Sequence, residues 1–143
     1  MSWQGVVSTI SRIREQVNSY IEDELRRRRI RGILPAHGPV LVILSAENAP
    51  MPLSSLIGKV GRVKSTVSGM VDTLARHGYV RRSRSDEDRR VILVELTPEG
   101  RELMPVFWEV SKGLQMALFG DMPIPERERL ASLLERLEEN IRV

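Results

Sequence analysis

"HGYVRRSRSDEDRRVILVELTPEG", residues His77–Gly100, carries the decisive pattern. Two β-prone runs, "YVRR" and "VILVEL", flank the polar tip "SRSDED", which is the make-up of a hairpin. Strands are expected near Tyr79–Arg84 and Arg90–Leu96. Thr97 then stands where a helix is capped, with Pro98 at the first helical position and Glu99 in the first turn. Arg81, Arg82, Arg84, Arg89 and Arg90 crowd both sides of the tip. A hairpin does not need so many cations in order to fold. They suit an interface with phosphate, with the hairpin reaching a nucleic-acid backbone or minor groove.

Two helices precede the hairpin. "LSSLIGKVG", Leu53–Gly61, puts Leu53, Leu56, Ile57 and Val60 on one side, and Gly61 breaks it. "KSTVSGMVDTLARHG", Lys64–Gly78, turns Val67, Met70, Val71 and Leu74 inward and closes on Gly78. Two helices joined by a tight glycine-containing turn form a helix-turn-helix. The start of the second helix is polar and basic: Arg62, Lys64, Ser65, Thr66 and Ser68. Short hydroxyl side chains let a helix N-terminus approach an anion closely, and its free N–H groups favour phosphate. Serine and threonine also hydrogen-bond base edges.

Working outward, "AHGPVLVILSAENAP" (Ala36–Pro50) is apolar enough for a short buried helix with Pro39 in its first turn, and "NAPMP" is a loop. Trp3, Val6, Ile10, Ile13, Val17, Tyr20, Ile21 and Leu25 recur at helical spacing, and Gly32 after "LRRRRIRG" is the expected stop. Downstream, Pro98–Phe119 carries a broad apolar face of Leu103, Val106, Phe107, Val110, Leu114 and Leu118. After the loop "GDMPIP", the stretch Pro125–Ile141 repeats Leu130, Leu133, Leu134, Leu137 and Ile141 along one stripe.

Composition restricts the function classes. The 143 residues suit one domain, 1–143. Aromatics are 4% of the chain, so the core must be built of Leu, Val and Ile, as in helical proteins. The formal charge is +3 and the pI about 9.8, which permits a nucleic-acid partner without requiring one. The absence of cysteine removes thiolate metal sites and thiol redox sensing, and fits a reducing cytoplasm. No signal peptide and no membrane span is expected. His37 and His77 have no partner at metal-ligand spacing. "GKVGRVKST" is no phosphate-binding loop, because Arg62 and Val63 separate the last glycine from the lysine. No enzyme, metal or cofactor is expected.

From about Pro35 to Leu103, the sequence resembles the MarR family of winged helix-turn-helix transcription regulators. The resemblance rests most on the wing "RSRSDEDRRVILVELTPEG" joined to "STVSGMVDTLARHGYV". It implies a mainly α fold with a small β-hairpin wing, residues 35–103 forming the DNA-binding lobe and residues 1–31 and 104–143 forming dimerisation helices. It further implies a homodimer on a near-palindromic double-stranded operator. The helix Lys64–His77 then enters the major groove through Arg62, Lys64, Ser65, Thr66 and Ser68, and the wing contributes Arg82, Arg84, Asp88, Arg89 and Arg90. Asp88 orients Arg90, which enters the minor groove. A small aromatic or anionic effector is implied between the dimer helices and this lobe, with His37, Met104 and Trp108 as candidate neighbours. Repression released by such a ligand is the expected mode.

The sequence departs from the family at two places. Val63 stands where a capping Ser, Thr or Asp is frequent, and Gly69 stands where a basic residue is frequent. A winged-helix module that binds protein is the alternative class, and it needs no positive recognition face.

Overall fold

The computed structural model describes residues 2–33 and 35–142. Met1 and Val143, the ends of the expected domain span, lie outside them. The chain packs as two compact units, Met1–Val110 and Ser111–Val143.

In the first unit, α1 runs Trp3–Arg27. A 3₁₀ turn, Pro35–His37, leads into α2, Gly38–Ser45. Then come β1 (Met51–Pro52), α3 (Leu53–Val60), α4 (Lys64–Arg76), β2 (Val80–Arg84) and β3 (Ile92–Leu96). Helix α5, Pro98–Phe119, starts in this unit and ends in the second, which holds α6, Ile124–Ile141. The mainly helical class and the hairpin follow the sequence expectation. The strands are shorter than expected, since Tyr79, Arg90 and Val91 lie outside the ladder.

One strand escapes the sequence reading. Met51–Pro52, expected as loop, pairs antiparallel with β3 through Met51↔Val94 and Pro52↔Leu93, giving the order β1-β3-β2. Two residues cannot show alternation, and a proline argues against a central strand but is tolerated at an edge, where β1 sits.

The end of α1 also differs. The helix stops at Arg27, before Gly32, and Arg29 takes the left-handed conformation at φ 57°. Ile30 N–H donates to the Leu25 carbonyl (3.0 Å) and Arg29 N–H to the Arg26 carbonyl (3.0 Å). These are the two hydrogen bonds of a Schellman motif, and Leu25 and Ile30 pack in the core beneath it. The same motif ends α4, where Gly78 (φ 82°) holds the left-handed position. Gly32 meets a different demand. A Cβ there would lie 2.2 Å from Cγ of His77, so the ring lies directly against the glycine.

The core lies where α2, α3, α4 and the sheet converge. Val40, Leu41, Leu44, Leu56, Val67, Val71, Leu74 and Val94 are fully buried. Truncating one of these leucines to alanine costs about 2–5 kcal/mol. By contrast, α6 buries none of its residues.

Candidate nucleic-acid interface

Helix α4 starts without a side-chain cap. Val63 takes the extended N-cap conformation (φ −63°, ψ 150°), but its isopropyl group accepts nothing. Lys64 and Ser65 are exposed, Thr66 and Ser68 partly so, and Val67 faces the core. The start of α4 is therefore a polar surface with donors pointing outward, as its sequence suggests. Gly69 continues this surface, and a Cβ there would meet nothing within 4 Å.

The wing is built by register. β2 and β3 pair as Val80↔Leu96, Arg81↔Glu95, Arg82↔Val94, Ser83↔Leu93 and Arg84↔Ile92. Ser85 N–H donates to the Val91 carbonyl (3.0 Å), and Val91 N–H to the Asp88 carbonyl (2.9 Å), closing the tip. Side chains alternate across a strand, so Arg82 and Arg84 share a face with buried Val80, and Arg81 takes the other.

The five arginines of the hairpin separate by their partners. Arg81 binds the cross-strand Glu95, with Nη2 2.6 Å from Oε1. Arg82 pairs with Asp72 of α4. Arg84 Nη1 donates to the Arg89 carbonyl (2.9 Å), bracing the tip. Arg89 reaches Asp86 at 3.6 Å. Arg90 is gripped by Asp88 through Nε to Oδ1 and Nη2 to Oδ2, each 3.1 Å, and its own N–H adds a 3.0 Å bond to Oδ1. Yet 91% of the Arg90 side chain remains exposed, against 37% for Arg82. Those side-chain and backbone hydrogen bonds from Arg90 hold the Asp88 carboxyl below its ordinary pKa. The same pair raises that of Arg90.

The start of α4 and the wing meet in one cleft of about 420 Å³, lined by Leu53, Ser54, Ile57, Lys64, Arg90, Val91 and Ile92. Two cations from different elements therefore share one surface. Asp72 is what sequence reading missed. It is the one acid in "KSTVSGMVDTLAR", and the shared parity of Val80 and Arg82 was the available signal that Arg82 turns toward α4.

The three candidate effector residues divide. His37 is 4% exposed and Met104 6%, both packed inside, whereas Trp108 is 48% exposed. Phe107 lies between α2 and Trp108, since a Cβ at Gly38 would lie 3.5 Å from the Phe107 ring and that ring meets Trp108 edge-on at 5.3 Å. Burial, and secondarily the nearby His77, lowers the His37 pKa. Among the described residues, no group of three His, Cys, Asp or Glu could hold a metal ion, and no helix is long and apolar enough to cross a membrane.

The family model for MarR matches residues 35–92, from the turn before α2 to the start of β3. Over that stretch the chain matches the MarR family. It is 28% identical over 114 residues to the HTH-type transcriptional repressor YetL of Bacillus subtilis, covering 79% of this chain and 68% of that protein. It is 28% identical to a MarR-family transcriptional regulator of Silicibacter pomeroyi, whose crystal structure superposes with a TM-score of 0.67 over 94% of this chain and 88% of that one. The MepR–DNA complex of S. aureus, at 18% identity, shares the fold with a TM-score of 0.81, covering 99% of each chain. Matches to three curated relatives span 64%, 68% and 66% of those proteins' lengths.

Proposed function

We propose that this MarR-family chain is a homodimeric, sequence-specific DNA-binding transcription regulator that works in the cytoplasm as a repressor released by a small ligand. The observation that carries the reading is Arg90. A guanidinium held at two of its nitrogens by Asp88, and still 91% exposed, is aimed outward before any ligand arrives. Pre-organisation of this kind removes ordering cost from binding. A narrow minor groove attracts such a cation. Lys64, Ser65, Thr66 and Ser68 supply the major-groove surface, with Arg62 just before them. Arg84 and Arg89 act through the shape and charge of the wing tip. MepR, which shares this fold, was solved bound to DNA.

Unpartnered apolar faces support dimerisation. On α6, Leu130, Leu133, Leu134 and Leu137 are each 38–44% exposed, and Ile141 80%. At the start of α1, Trp3, Val6, Val7, Ile10 and Ile13 are exposed as well. Stripes of this length on a water-soluble chain mark a protein contact. Residues 1–31 and 104–143 are assigned to it, residues 35–103 to DNA. The reading includes no catalysis and no cofactor. An aromatic or anionic effector is assigned to the neighbourhood of His37, Met104 and Trp108, where α2 meets α5 through Gly38 and Phe107.

Selection of duplexes from a random pool tests the proposal. The expected product is a near-palindrome with half-site centres about one helical turn, roughly 10 bp, apart, footprinted symmetrically. No enriched sequence, or an enriched sequence without a dyad, overturns it.

A further inference from the structure

We infer that Arg82 serves DNA binding through Asp72, as a clasp between recognition helix and wing, and does not itself touch DNA. This inference rests on the DNA-binding reading above. Strand parity turns Arg82 to the same side of the hairpin as buried Val80, and the guanidinium ends on the Asp72 carboxylate. Asp72 has no competing partner on its own helix surface. Arg76, one turn later, gives its Nη2 to Thr73 Oγ1 at 3.2 Å.

Two consequences follow from where Asp72 stands. At helical spacing it shares a side of α4 with Ser65, Gly69 and Arg76, all exposed. That is the side proposed to enter the major groove. A bare carboxylate there would face phosphates, and Arg82 neutralises it. The pair also ties the helix to the wing. Groove spacing in DNA fixes how far Arg90 must stand from the Ser65–Ser68 surface, so a wing free to tilt makes one contact at the expense of the other. Stability is a poor explanation for the pair. Its side chains are 55% and 37% exposed, and exposed ion pairs contribute little to folding.

The test compares Arg82→Gln, Asp72→Ala and the double variant with Arg90→Gln. Each is titrated at several salt concentrations against the duplex that the wild-type protein selects and against random duplex. Clasp function predicts that Arg82→Gln and Asp72→Ala each narrow the selected-over-random ratio, on the order of tenfold, and that the double variant is no worse than either single one. Arg82→Gln should change the salt slope by much less than about one unit per subunit, because no phosphate contact is lost and only the unmasked Asp72 carboxylate is added near the phosphates. Arg90→Gln should flatten that slope by about one unit per subunit. Melting temperatures should stay within a few degrees of wild type. The inference is overturned if Arg82→Gln flattens the slope as Arg90→Gln does, or if Asp72→Ala keeps or widens the ratio. Failure of the DNA-binding reading shows elsewhere, in a wild-type protein that selects no sequence.

Discussion

Replacing Arg90 by alanine should weaken binding to every duplex, and the structure sets how the loss depends on salt. The side chain is 91% exposed and its one carboxylate partner among the described residues is Asp88, so removal leaves the wing intact, including the 2.9 Å bond from Val91 N–H to the Asp88 carbonyl. A dimer loses two cations at once. The slope of log K against log salt should therefore flatten by about 1.8, at about 0.9 per charge. Between 50 and 200 mM salt, that corresponds to about twelvefold less loss of affinity than wild type suffers. Asp88→Asn keeps the cation and removes its grip, so the slope should hold while affinity falls modestly on all duplexes. Because Arg90 keeps the Asp88 carboxyl below its ordinary pKa, the grip is complete at neutral pH and is lost only as pH falls through the depressed carboxylate value. Fluorescence anisotropy on selected and random duplexes at four salt concentrations measures all of this. Unchanged affinity and slope for Arg90→Ala on both duplexes would refute the reasoning and reduce the wing arginines to a solvated face.

Arg29→Gly should raise unfolding free energy by about 0.5–1 kcal/mol in urea titrations, since φ 57° strains any residue with a Cβ; a loss would show that Arg29 makes a contact worth more than the strain. Gly32→Ala should do the opposite and lower the urea midpoint, by forcing the His77 ring away from a position 2.2 Å from the new Cβ; an unshifted midpoint would contradict the close packing. His37 is held below its ordinary pKa by burial, so the fold prefers its neutral form. Its share of stability is full above about pH 6.5 and is lost as pH falls through the unfolded-state value toward the folded one. An NMR titration of His37 with a midpoint above 6.5 would reverse that sign. Leu134→Asp, on the apolar stripe of α6, should convert dimers to monomers or insoluble chain in sedimentation runs, and an undisturbed dimer would place the interface elsewhere.

The sequence by itself determined the helices, because their information is local and repeated. Leu53, Leu56, Val67, Val71 and Leu74 recur at helical spacing and all are buried. Thr97 caps α5 as its position implies, accepting Gly100 N–H at 3.1 Å. The pairing of Asp88 with Arg90 lies within the tip and was legible from the family resemblance. Tertiary structure alone decided what depends on residues distant in the chain. β1 exists only because β3 offers it an edge, and two residues carry no period of their own. The stop of α1 at Arg27, closed by left-handed Arg29, depends on Leu25 and Ile30 finding the core, which outweighs the glycine signal at residue 32. Arg82 stood beside Arg90 among the wing arginines expected at DNA. Strand register and the approach of α4 gave the first to Asp72 and left the second facing solvent, because a cation's partner is set by which surfaces folding brings together.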